Sequence, residues 1–166
     1  ARHSKNYELM ATDTKTKATT AGNYFISNYP PFSFWEEGHR EEVREAYDSK
    51  GPDGVPLGVY HHTPFCRKRC HFCYFRVYTD KSADEIKEYL DCTMRELEAL
   101  AKNPLVEGRK PNFVYFGGGT PSYLSAKQLT ALTDRMKAVL PWDEAEEVAF
   151  ECEPGTLNAG KLAAIK

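Results

Sequence analysis

The 166-residue chain is 41% hydrophobic and carries a formal net charge of -2 from 22 basic and 24 acidic side chains. That balance allows a packed core but gives no strong positive field for nucleic acid or an anionic membrane, so a small-molecule partner is the simpler expectation. Five cysteines in an uneven cluster do not make the framework of a disulfide-stapled secreted domain, and no run nears the ~18 apolar residues of a membrane span, so reduced thiols in a cytoplasmic setting are expected.

Residues 1–21 are polar and rich in Thr and Lys, which reads as a disordered or loosely docked arm. An N-terminal extension over 22–54 opens with the aromatic stretch GNYFISNYPPFSFW, whose Pro30-Pro31 favours an extended segment packed on something. A charged run from Glu36 to Lys50 then predicts a short exposed helix, and Gly51-Pro52-Asp53-Gly54 a turn.

From residue 55 to 166 short apolar runs alternate with amphipathic ones. LGVYHHT predicts a first strand. Ser82 with Glu85 forms a capping box for a helix with Ile86, Leu90, Met94, Leu97 and Ala101 on one face. NFVYF, Asn112 to Phe116, predicts a second strand running into three glycines. Ser125 with Gln128 repeats the capping box, Leu129, Leu132, Met136 and Leu140 make the apolar stripe, and Pro141 closes that helix. EVAFEC, Glu147 to Cys152, predicts a third strand, with a further helix from about Asn158. The order βαβαβα implies an α/β fold whose parallel sheet is covered by helices, with functional residues at the C-terminal ends of the strands. Three such units cannot close an eight-stranded barrel. The chain starts without Met and stops in the helical run GKLAAIK, so this part is expected to be the first portion of a larger barrel, truncated at the C-terminus.

Unusual residues follow each strand. After the first, Cys66, Cys70 and Cys73 are spaced C-x3-C-x2-C, close enough for one loop to wrap a common centre. Iron–sulfur clusters and zinc are the usual occupants of such thiolate sites. A closed zinc site needs a fourth ligand, which His61, His62 or His71 would supply, whereas a redox C-x2-C pair leaves Cys66 unexplained. Phe65, Phe72, Tyr74 and Phe75 would either surround such a centre or pack the loop on the core. After the second strand, a triple glycine lets the backbone approach a ligand closely and offers its amides as a polar nest. Glu151 is an acidic side chain in an otherwise apolar strand, on the same face as Glu153 if the strand continues that far; a salt bridge is the alternative role for both. Tyr60 and His62 share a face of the first strand. Cys92 and Cys152 are weak ligand candidates.

The spacing C-x3-C-x2-C with an aromatic before the third cysteine resembles the radical S-adenosylmethionine enzymes. The runs YHHTPFCRKRCHFC, YFGGGTPSYL and FECEPGTL resemble three successive motifs of the oxygen-independent coproporphyrinogen III oxidase-like branch. The resemblance implies an α/β fold forming the N-terminal part of a (β/α) radical SAM barrel of partial TIM type, about three βα units preceded by the aromatic-rich extension. It implies a 4Fe-4S cluster on Cys66, Cys70 and Cys73, one iron being left open for S-adenosylmethionine. Tyr60, Phe72, Gly118, Gly119, Thr120 and Glu151 are then expected to contact that cofactor, the glycine run at its methionine amino group.

Reductive cleavage of S-adenosylmethionine to a 5′-deoxyadenosyl radical is the implied chemistry, acting on a tetrapyrrole or another small molecule. An electron donor such as flavodoxin or ferredoxin would feed the cluster. The oxidases proper follow the third cysteine with Gly and a further Cys, where this chain has Tyr74 and Phe75. Methyltransferases and cyclopropanases of similar architecture therefore stay open beside the oxidase, as do a heme chaperone that retains the cluster and a zinc-stabilised binding module.

Overall fold

The structure, a computed structural model, describes Pro31 and residues 34–166. The expected arm over 1–21 and most of the aromatic stretch lie outside the described residues. Helix α1 (His39–Tyr47) falls within the charged run; none of its residues is buried, as its composition predicts. Then come β1 (Leu57–Thr63), α2 (Ala83–Leu100), β2 (Pro111–Gly118), α3 (Ala126–Val139), β3 (Glu147–Phe150) and α4 (Ala159–Ile165), with single 3-10 turns at Pro121–Tyr123 and Pro154–Thr156.

Both predicted capping boxes are formed. The Glu85 N–H donates to Ser82 Oγ at 3.3 Å while Ser82 N–H donates to the Glu85 carboxylate at 2.9 Å, and Ser125 with Gln128 repeats the pattern at 3.2 and 2.9 Å. Each cap supplies acceptors for N–H groups that the first helical turn otherwise leaves unpaired, an effect of about 1 kcal/mol. Asn158 caps α4 with its side chain alone, its Oδ1 accepting from Lys161 N–H at 3.0 Å.

The three strands form one parallel sheet in the order β1-β2-β3. Each crossover passes through a helix, and both long helices pack on one face. Val114, Phe116, Met94, Leu129, Leu132 and Met136 lie at the centre of that core, with Trp142 edge-on to Phe116 at its end. Pleating sends alternate residues the other way: Tyr60 is 56% exposed and Phe113 46%, against 0% for Val114 and 2% for Phe116. A sheet with helices on one side and large side chains open on the other is a segment of barrel wall seen from outside and inside.

Two strand boundaries differ from expectation. β2 runs on through Gly117 and Gly118, which pair with His62 and Thr63. β3 stops at Phe150 instead of Cys152, because the Glu151 N–H to Phe116 carbonyl bond (3.0 Å) is the last rung before Pro154, which has no N–H, begins the next turn.

Candidate functional site

The three strand ends meet at one edge of the sheet. The cysteine loop is pinned at its base, where Cys66 N–H donates to the Tyr78 carbonyl (3.0 Å) and Tyr78 N–H to the Pro64 carbonyl (2.9 Å). Cys66 is buried there. Cys70 is exposed and Cys73 half-buried, the two joined by a Cys73 N–H to Cys70 carbonyl bond of 3.1 Å. Arg69 steadies this turn by donating to the Cys73 carbonyl at 2.9 Å, and Arg67 reaches across to the Gly155 carbonyl at 3.0 Å.

All five cysteines are free thiols. Among the described residues no three His, Cys, Asp or Glu side chains gather around a point as one metal ion requires, so the predicted convergence on a common centre is not preformed here, with or without a histidine as fourth ligand. A tetrahedral zinc ion holds its thiolates about 3.8 Å apart. A four-iron cluster takes each thiolate on a different iron and so does not require the three sulfurs to gather on one point. The donor set thus fits the cluster that the sequence implies.

Against this loop lies the glycine run. A Cβ on Gly119 would sit 2.9 Å from Cys66 Sγ, so only glycine lets the strand end press on that thiol. Thr120, also buried, donates its hydroxyl to the same sulfur at 3.3 Å. Gly118 has φ +111°, and a Cβ there would meet the His62 ring and Thr63 backbone. The amides of the run are not an empty nest: Gly119 N–H donates to the Thr63 carbonyl at 2.7 Å and Gly118 N–H to Glu151 Oε2 at 3.2 Å. The acceptors of this corner, the Glu151 carboxylate above all, are what it can offer a ligand's donor groups.

Glu151 lies beyond β3, exposed on the open face, its other oxygen accepting the Tyr115 hydroxyl at 2.7 Å. Glu153 does not join it; its carboxylate accepts Gly155 N–H at 2.9 Å and caps the following turn. Tyr60 shares the open face, its hydroxyl 3.2 Å from His62 Nδ1, and burial together with the Glu151 charge raises its pKa above the ordinary phenol value. Tyr115 is raised too, chiefly because its proton is held by Glu151.

His61 faces the opposite way. It is buried beside Phe116, its Nε2 has no partner, and desolvation, reinforced by the neighbouring His62, lowers its pKa from 6.5 to about 4. Phe65 belongs to the core, edge-on to Tyr89, whereas Phe72 is 70% exposed and contacts His71 edge-on. Cys92 and Cys152 are exposed, Cys92 Sγ accepting from Arg95 at 3.0 Å and the Cys152 thiol lying 3.7 Å from the Phe150 carbonyl.

Three contributors escaped the sequence reading. Tyr115 holds Glu151, and Arg67 bridges the first loop to the third. Ser122, fully buried, ties the second loop to the third through Thr156 (2.6 Å) and Glu153 N–H (2.9 Å). The only signal was their position inside or next to the motifs.

The family model for the Radical SAM superfamily matches residues 60–166. Coproporphyrinogen III oxidase, anaerobic 1, of Cereibacter sphaeroides is 35% identical over 111 residues, 67% of this chain and 24% of that protein. Heme chaperone HemW of Buchnera aphidicola is 33% identical over 103 residues, 62% of this chain and 27% of the relative. Among solved structures, the coproporphyrinogen III oxidase HemN of Escherichia coli, described as a radical SAM enzyme, superposes with a TM-score of 0.66 at 26% identity, covering 85% of this chain and 32% of that one. The chain therefore spans about a quarter to a third of the relatives it matches, and its three strands and helices correspond to the N-terminal part of that fold. Among the described residues no helix is long and apolar enough to cross a membrane.

Proposed function

We propose that this chain, which belongs to the radical S-adenosylmethionine superfamily, carries the cluster-binding and cofactor-binding part of an oxidoreductase acting on a tetrapyrrole of the coproporphyrinogen type. The observation that carries the reading is the contact among three strand ends: Thr120 and Gly119 close over Cys66 while Gly118 holds Glu151, so thiol donors and a carboxylate acceptor share one corner.

Cys66, Cys70 and Cys73 would hold a 4Fe-4S cluster, with Phe72 beside it. When bound, the cluster and S-adenosylmethionine supply one-electron cleavage of the sulfonium and a 5′-deoxyadenosyl radical able to abstract hydrogen. The remaining work belongs to the protein. Glu151 and the Gly118-Gly119-Thr120 turn accept from the cofactor's ammonium group, and Tyr60 gives its adenosyl side an aromatic wall on the open face. Ser122 and Arg67 keep the three loops in register, so that donor and acceptor groups do not rearrange during the reaction. Residues 55–166 act as the core unit with 22–54 as an extension, in a cytoplasmic protein served by a flavodoxin or ferredoxin donor. The methyltransferase and cyclopropanase alternatives draw no support from the relatives described above.

The similarity to heme chaperone HemW favours a second reading, in which the cluster is kept and heme is the cargo. One experiment separates them. Anaerobic reconstitution of the chain is expected to give about four irons per protein, and Cys66→Ala, Cys70→Ala or Cys73→Ala each to abolish this, with Cys92→Ala unchanged. Formation of 5′-deoxyadenosine after reduction with coproporphyrinogen present supports the oxidase. Stoichiometric heme uptake without that product supports the chaperone, and a tightly held zinc with no cluster sinks both.

A further inference from the structure

We propose that Tyr115 is the positioning residue that sets the Glu151 carboxylate to receive the ammonium group of S-adenosylmethionine, an inference that rests on the cofactor reading given above. Tyr115 is the centre of the open face. Parallel register places it beside Tyr60 on β1 and Ala149 on β3, one strand away from each. Its ring lies nearly parallel to that of Tyr60, with centroids 5.8 Å apart and planes at 22°. Both rings reach over Gly117: a Cβ there would come within 2.7 Å of Tyr115 and 2.9 Å of Tyr60, so the missing side chain is what lets the pair close up.

From that seat the hydroxyl donates to Glu151 Oε1 at 2.7 Å, while Gly118 N–H takes Oε2 at 3.2 Å. A glutamate side chain on an exposed face otherwise samples several rotamers, and freezing them is a cost that binding must overcome. Two donors, one for each oxygen, freeze the carboxylate in advance. Each oxygen keeps a further lone-pair direction for a ligand. The Tyr60 hydroxyl is meanwhile held by His62 at 3.2 Å. A continuous set, His62, Tyr60, Tyr115, Glu151 and Gly118, therefore spans the strand ends, and Tyr115 links two of the expected cofactor contacts, Tyr60 by stacking and Glu151 by hydrogen bond. If Tyr115 served only as packing, phenylalanine would replace it without loss, since the ring does the packing and the hydroxyl does not.

The test is a double-mutant cycle on the cluster-reconstituted chain, read by anaerobic calorimetric titration with S-adenosylmethionine. Tyr115→Phe is expected to weaken binding about tenfold, the effect of one hydrogen bond to a charged group, with iron content and unfolding midpoint as in wild type. Glu151→Gln is expected to weaken it at least as much. Because Tyr115 acts through Glu151, the double variant should bind no more weakly than Glu151→Gln alone. Binding by Tyr115→Phe within about twofold of wild type would overturn the inference alone, as would a double variant whose loss is the product of the two single losses. Failure of fully loaded wild type to bind S-adenosylmethionine would overturn the cofactor reading and this inference together.

Discussion

His61 and His62 are adjacent in sequence and occupy different media. His61 lies under the helices, neutral and without a partner for Nε2; His62 stands on the open face, bonded to the Tyr60 hydroxyl. The same contrast separates Phe116 from Tyr115 on β2. One face of the sheet packs the core and the other stands open as the proposed ligand-binding face, the two interleaved residue by residue through the pleat. Function in such a sheet can change without touching the core, provided substitutions keep to the open face.

The sharpest way to break that division is to truncate one residue on each side. Met94, 1% exposed at the centre of the helix-covered core, should cost about 2–5 kcal/mol as Met94→Ala, because transfer and cavity terms add. Tyr60→Phe keeps the ring stack on Tyr115 and should change stability by less than about 0.5 kcal/mol. Urea midpoints measure both. Equal losses would mean that the open face also holds the fold together.

The fold was largely legible because its signals are local. A capping box lies within four residues, an amphipathic stripe within one helix, and both appear where the sequence places them. The cysteines, the glycine run and Glu151 were legible as types at strand ends. What stayed hidden depends on register between distant segments. Nothing in the run NFVYF says that Tyr115 will stand opposite Tyr60, and nothing near Arg67 names the Gly155 carbonyl 88 residues away. The early end of β3 had a visible cause in Pro154, but its effect on Glu153 depends on a cap formed only after the chain turns. The triple glycine suggests a nest of amides, while the folded chain itself uses the amides of Gly118 and Gly119.

Acid titration sharpens the comparison on the histidine pair. The unfolded chain protonates His61 near pH 6.5, whereas the folded chain resists until about 4. Between those values the unfolded state binds more protons, so stability falls as pH is lowered from 6.5 to 4 and levels off below. The full span corresponds to about 3 kcal/mol. Urea unfolding of wild type across this window should show the slope, and His61→Leu should lose it. A slope unchanged in the variant would assign the acid sensitivity elsewhere. The Glu85 carboxylate is held down to about 2 by Lys81 and the Ser82 cap, so its contribution is lost only at lower pH, from about 4.5 downward.

The smallest expected effect concerns the thiol loop, where the open face meets solvent. Arg67 donates to the Gly155 carbonyl from an exposed position, and an exposed contact of this kind contributes at most about 1 kcal/mol to global stability. Its consequence is local, because it is a side-chain link from the exposed part of the cysteine loop to the turn after β3, while the base is held by Cys66 and Tyr78. Arg67→Ala should leave the unfolding midpoint nearly unchanged and raise hydrogen exchange several-fold at residues 70–75, with the core helices α2 and α3 as the unaffected reference. Unchanged exchange over 70–75 would mean that the loop is held by its base and by its own Arg69–Cys73 and Cys73–Cys70 bonds, without help from the Arg67 link.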